Sequence, residues 1–237
     1  MSDLIVHERQ PTYITDVLNV QMQRIRKRTT RDHRLTAIHV GAYDGSWDMT
    51  FAARHKPIIM HCFEPQKTAF KKHKRRTDRY PHINLYRKAI GAESGTSVLY
   101  ANGKLDQGAS IVRDFVTNRT VGKLIKEEVK VTTIGDFCAE KVINRLDLLR
   151  VNCEGSEYAI FQDGVVDFLR FTNVVCVTLH GKTPVFLSPE INTRKIEITR
   201  LFIQYGFDLL CGHNFVEVQK IPVSHSWQVW AKKKFIV

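Results

Sequence analysis

Glycines at 41 and 45 follow one apolar run, and an acid, Glu64, closes the next. Glycine lets the backbone turn sharply and lets a ligand approach where a Cβ would collide. Gly45 and Glu64 lie 19 positions apart. That separation sets an acid at the tip of the neighbouring strand, where it accepts both hydroxyls of a ribose. A third apolar run ends in Asn152-Cys153-Glu154-Gly155-Ser156-Glu157, and a fourth ends at His180. Two kinds of chemistry are on offer: a carboxylate that accepts hydroxyls, and a carboxylate–imidazole set that moves a proton.

The turn itself reads Gly41-Ala42-Tyr43-Asp44-Gly45. The helix that follows presents unpaired N–H groups and a partial positive charge toward a ligand. The full G-x-G-x-x-G fingerprint is absent, and with it the close approach to a pyrophosphate. A cofactor with a ribose but no phosphate does not need that approach, and S-adenosyl-L-methionine is such a cofactor.

Positioning these residues takes alternating strands and helices. Helical spacing predicts an amphipathic helix over 13–28, and 1–11 reads as a loose lead-in. Strands are expected at 35–40, 58–63, 83–90, 146–152 and 174–179, with helices at 46–55, 66–77, 134–141, 158–169 and 189–204. Short strands at 97–100 and 129–133 flank a long loop, 101–128, which contains Gly103, Gly108 and Gly122. Loops of that length are often functional. The last two strands, 207–211 and 227–236, read as an antiparallel pair. The expectation is a Rossmann-like α/β fold with a seven-stranded, mostly parallel sheet. A helical extension, 1–34, precedes a single domain, 35–237.

The chain has 237 residues, enough for one substantial core, with 43% hydrophobic and 25% charged residues. No apolar stretch is long enough to span a bilayer. The first residues lack the charged start and apolar core of a signal peptide. Cysteines at 62, 138, 153, 176 and 211 form no C-x-x-C pair. They read as reduced thiols of a cytoplasmic protein. Ten histidines are scattered without H-E-x-x-H spacing, so no metal centre is expected. No G-x-S-x-G elbow points to hydrolysis. The net charge of +12 is concentrated in 24–34, 67–79 and 232–234. It reads either as solvated helix faces or as a nucleic-acid contact.

Five blocks, in order, resemble the FkbM family of S-adenosylmethionine-dependent methyltransferases. They are His39-Val40-Gly41-Ala42-Tyr43-Asp44-Gly45, Phe63-Glu64-Pro65, Lys88-Ala89-Ile90-Gly91, Val131-Thr132-Thr133-Ile134 and Asn152-Cys153-Glu154-Gly155-Ser156-Glu157. The resemblance covers about 35–180. It implies that Gly41, Ala42 and Gly45 line the methionine part of the cofactor and that Glu64 holds the ribose. Ala89, with Ile90 beside it, would lie near the adenine. Asn152 and Glu154 would face the sulfonium and the acceptor. His39, Tyr43, Asp44 and Pro65 belong to the same cofactor set. The chain departs from the family pattern at His39, Tyr43, Asn152 and Gly135, where the family carries Asp, Asn, Asp and Asp.

Methyl transfer to a hydroxyl needs a base near the acceptor. His180 is the first candidate, with Glu154 to orient it or to bind the acceptor. Glu157 reads as structural. Ser110, in the long loop, is a candidate cofactor contact. Three readings follow: an O-methyltransferase acting on a sugar, glycan or other small molecule, an RNA methyltransferase, or a non-catalytic binding protein on the same fold.

Overall fold

The computed structural model describes residues 12–30, 32–117, 123–181, 189–212 and 225–236. The expected lead-in 1–11 and Gly122 lie outside them. Helix α1 spans Thr12–Lys27. Then come β1 (Leu35–Val40), α2 (Ser46–Arg54), β2 (Ile58–Phe63), α3 (Lys67–Thr77), β3 (Ile83–Tyr86), β4 (Ala89–Ile90) and β5 (Gly95–Ala101). After these run α4 (Arg113–Thr117), β6 (Ile125–Thr132), α5 (Ile134–Glu140), β7 (Leu146–Val151), α6 (Glu157–Ile160) and β8 (Thr172–His180). Helix α7 (Pro189–Gln204), β9 (Phe207–Cys211) and β10 (His225–Lys232) complete the order.

The main sheet has seven strands in the order β3-β2-β1-β7-β8-β10-β9. All neighbours pair in parallel except those of β10, which is antiparallel to both β8 and β9. The expected closing hairpin is therefore present, and β10 alone runs against the other strands. Strands β7 and β8 are buried along their whole length, as central parallel strands covered on both faces must be. A small second sheet, β4-β6-β5, stands beside it.

The two faces of β1 show how the core divides. Leu35 and Ala37 pack with α1 and α2, while Ile38 and Val40 join the core that contains Phe137, Phe161 and Phe202. In α1, Ile14, Leu18, Met22 and Ile25 are fully buried at helical spacing. The N-terminal helix thus shares a core with the sheet. At the amino ends of the strands, the buried Asp147 accepts from Thr36 N, Arg145 Nε and Asn173 Nδ2, and pairs with His33. No helix among the described residues is long and apolar enough to cross a membrane.

Three expectations are corrected. The strand expected over 83–90 splits, and Ala89–Ile90 pairs with β6 in the second sheet. The helix expected over 158–169 stops at Ile160, because Gly164 takes a left-handed turn (φ +81°) before a single 3₁₀ turn at Asp167–Arg170. The long loop carries α4, and β6 begins at Ile125 rather than 129.

Candidate active site at the carboxyl edge of the sheet

Strands β1 and β7 are neighbours, so their carboxyl ends bring the two sequence motifs together. Gly41 (φ +78°) and Gly45 (φ +74°) are both left-handed. A Cβ on Gly41 would lie 1.9 Å from the carbonyl oxygen of Asn152, and one on Gly45 would strike the His73 ring at 2.3 Å. Glycine is therefore required at both positions by conformation and by space. Gly41 N and Ala42 N both donate to Phe63 O, and Asn152 N donates to Val40 O. The turn is thereby sewn to β2 on one side and to β7 on the other.

Glu64 ends β2 and is only 6% exposed. Its Oε2 accepts from Tyr43 N at 2.8 Å and its Oε1 from Gln66 N at 2.7 Å. Burial raises its pKa to about 7 against the lowering by those two hydrogen bonds. Tyr43 carries a positive φ of 48°, which the Glu64 bond helps to hold. Asp44 faces α3, where it pairs with Arg76 at 2.8 Å and Lys72 at 3.1 Å. Pro65 is half-buried and follows Glu64 directly. Gln66 reaches the loop after β5: its Oε1 accepts from Asp106 N, and its Nε2 donates to Gly103 O.

The second turn lies after β7. Glu154 (φ +55°) and Gly155 (φ +103°) are both left-handed, and a Cβ on Gly155 would meet the Phe115 ring at 2.4 Å. Glu157, fully buried, accepts from Cys153 N at 2.8 Å and Gly155 N at 2.7 Å. His180 ends β8 between the two acids, with Nδ1 2.8 Å from Glu157 Oε1 and Nε2 3.2 Å from Glu154 Oε1. The Tyr158 hydroxyl donates to the His180 carbonyl. Burial pulls the His180 pKa down, but the two carboxylates more than offset it and raise it to about 10. A pKa so raised favours the protonated ring, with one nitrogen facing each carboxylate, which suits His180 to positioning those acids more than to taking a proton.

Other expected residues fall elsewhere. His39 is 2% exposed; its Nδ1 donates to Asp48 Oδ1 at 2.6 Å, and its Nε2 faces the Arg150 guanidinium. Burial, with Arg150 assisting against Asp48, lowers its pKa to about 4. A ring with both nitrogens engaged within the protein supports the turn from inside. Ser110 is buried and its Oγ accepts from Val112 N, so it shapes its own loop. Ala89 and Ile90 are buried in the small sheet.

Asn152 lies between the two turns, and its Oδ1 is buried without a hydrogen-bond partner among the described residues. A groove of about 490 Å³ between α6 and α7, lined by Tyr158, Arg194, Glu197 and Leu201, holds none of the sequence-predicted site residues. His39, Asp48 and Cys62 bring ligand-type atoms within 4.8 Å of one another. The Arg150 guanidinium, stacked 4.4 Å over Trp47, already supplies the positive charge there.

Sequence reasoning missed Asp48, His73 and Arg150 under the first turn, Gln66 beside it, and the part played by Glu157. One signal was available: Arg150 is a cation within the otherwise apolar end of β7, Leu148-Leu149-Arg150-Val151. A charge there requires a buried partner.

Comparison with curated protein sequences finds no match. Among solved structures, the 2.2 Å crystal structure of WbdD is similar over 94% of this chain and 40% of that one, at 11% identity and a TM-score of 0.51. A second structure, titled as the bifunctional kinase-methyltransferase WbdD, is similar over the same shares at 11% identity and a TM-score of 0.50. The chain thus spans about 40% of the length of those proteins, and the likeness is one of fold. The Methyltransferase FkbM domain profile matches residues 39–208, which takes in both turns, Glu64 and His180. With that match across most of its length, this chain belongs to the FkbM methyltransferase family.

Proposed function

We propose that the protein transfers a methyl group from S-adenosyl-L-methionine to a hydroxyl of a sugar, glycan or other small acceptor. One observation carries the reading: a carboxylate, Glu154, is held by a protonated His180 beside a glycine turn and a buried ribose-type acid. The residues suit the cofactor. Gly41 leaves bare backbone at the turn, and Glu64 is a buried carboxylate with no cation paired to it among the described residues. The unpartnered Asn152 Oδ1 suits the ammonium group of a methionine. When bound, the cofactor supplies an electrophilic methyl on sulfur.

Glu64 would accept the ribose hydroxyls through the lone pairs that its two N–H bonds leave over. Asn152 and the first turn would orient the methionine part, which serves the in-line geometry that methyl transfer needs. Glu154 would take the acceptor's proton as the new C–O bond forms and the S–CH₃ bond breaks. His180, fixed by Glu157, would act as a positioning residue that keeps Glu154 aimed. Five unpaired cysteines support a reducing compartment such as the cytoplasm.

The test incubates the protein with the cofactor and a panel of sugars, glycans and RNAs, and follows release of S-adenosylhomocysteine. A hydroxyl acceptor should give release that Glu154→Gln abolishes. Release that survives that substitution at the parental rate would remove Glu154 from the mechanism.

A further inference from the structure

Residues 24–34 carry six Lys or Arg against Asp32, and 54–79 carry nine against Glu64 and Asp78. The excess in these two stretches equals the net charge of the whole chain, +12, so all other residues together are balanced. The fold brings the two stretches together. Arg26 donates to His55 O at 2.6 Å and to Pro57 O at 3.1 Å, which docks the end of α1 on the end of α2. Lys56 lies close enough to lower the pKa of His82, after burial, and His82 follows shortly on Arg79.

Helix α3 continues this pole toward the site. Ala69, His73 and Thr77 face inward. Lys67, Lys71, Lys74 and Arg75 are exposed at spacings that set them along one side of the helix, and the exposed Arg79 follows just past its end. Lys72 and Arg76, on the flank, pair with Asp44 of the glycine turn. Among the described residues none of the five exposed cations makes an ion pair. Like charges four apart destabilise a helix by about 0.2–0.5 kcal/mol each, and a lysine at the first position opposes the helix dipole. Lys74, Arg75 and Arg76 in the last turn favour the dipole and Glu127 accepts from Lys67 N, but no acid within α3 offsets the crowding of its exposed cations.

We propose that this arc, from Lys67 along α3 to the α1–α2 pole, binds the phosphate backbone of double-stranded nucleic acid and lays it beside the glycine turn. From Lys67 to Thr77 the helix rises about 15 Å, comparable to about four base-pair steps of 3.4 Å. The chemistry favours a duplex backbone over exposed bases. Phe70 and the buried His73 are the only rings in 67–79, and Phe70 is half-buried, so no stacking platform is offered. It disfavours a lipid surface, because no large hydrophobic is exposed between 54 and 79, whereas interfacial helices insert an apolar face. The proposal is independent of the acceptor, since binding is read without turnover.

The test is fluorescence anisotropy on the full chain. The probes are labelled RNA and DNA duplexes of about 20 base pairs, the matching single strands, and vesicles containing phosphatidylserine. Salt is varied between about 50 and 200 mM. Duplex binding should weaken steeply with salt. The variant Lys67→Glu/Lys71→Glu/Lys74→Glu/Arg75→Glu should lose on the order of 100-fold in affinity and flatten the salt slope by about 3–4. It leaves Lys72 and Arg76 on Asp44. Should that variant misfold, Lys71→Gln/Arg75→Gln should flatten the slope by about 2. The control Arg194→Gln/Arg200→Gln, on α7, should change affinity less than about twofold. Preference for the RNA or the DNA duplex would name the source of the shared phosphate chemistry. No duplex binding at about 50 mM salt, equal loss in the α7 control, or tighter binding to vesicles or single strands would overturn the proposal.

Discussion

The carboxyl edge of the sheet holds two turns built alike, and their acids are held in opposite ways. Both turns follow a buried strand, both carry a non-glycine residue at positive φ, and both depend on a glycine with no room for a Cβ. In the first, Glu64 accepts from two backbone N–H groups and, among the described residues, pairs with no cation, and burial lifts its pKa to about 7. In the second, Glu154 and Glu157 share an imidazolium, His180. A buried acid without a cation is poised to receive hydroxyl donors. An acid held and aimed by a fixed ring suits proton transfer. On the proposed function, the first turn takes the cofactor and the second the acceptor chemistry.

The largest expected effect falls on the second turn. Glu154→Gln should lower turnover by about 10²–10⁴-fold with cofactor affinity unchanged, as steady-state rates and calorimetry would show together. A matched fall in affinity would mean that the two turns do not divide the work. His180→Ala should leave Glu157 buried without its cation and cost about 3–5 kcal/mol of stability, measured by urea unfolding. Loss of less than about 1 kcal/mol would show that the carboxylates do not depend on the ring.

The pH dependence of stability sharpens the same contrast. The folded pKa of His180, about 10, lies above its ordinary 6.5. Its contribution is therefore full below about 6.5 and is lost as pH rises through about 10. His180→Gln should remove that alkaline loss. A smaller effect is expected at the first turn. Cofactor affinity should fall by roughly tenfold from about pH 8 to about pH 6 as Glu64 takes up a proton, and Glu64→Gln should flatten the curve.

Much of this was legible in the sequence, and the misses have physical causes. Helix α7 and strands β1, β2 and β9 follow from apolar runs bounded by glycine, proline or polar residues. The turn at 41–45 and the acid at 64 were readable because glycine and strand-tip acids have few other uses. The surroundings of His39 were not readable, because position along the chain shows that a residue lies near a strand's end, not which face its ring takes. It takes the face of Ala37 and Asp48 and is buried there. The protonation of His180 was not readable either. It depends on Glu154 and Glu157 meeting β8 in space, 26 and 23 positions away in the chain. The break in the helix after Ile160 turns on Gly164, whose left-handed φ overrides an otherwise helical pattern.

The division between the two turns is tested most directly by calorimetric titration of S-adenosylhomocysteine into the parent, Glu64→Ala and Glu154→Gln. The parent should bind. Glu64→Ala should bind more weakly by about 1.5–3 kcal/mol, and Glu154→Gln should match the parent. If Glu64→Ala binds as tightly as the parent, or if the main loss appears in Glu154→Gln, the cofactor does not lie on the first turn and the assignment of both acids fails.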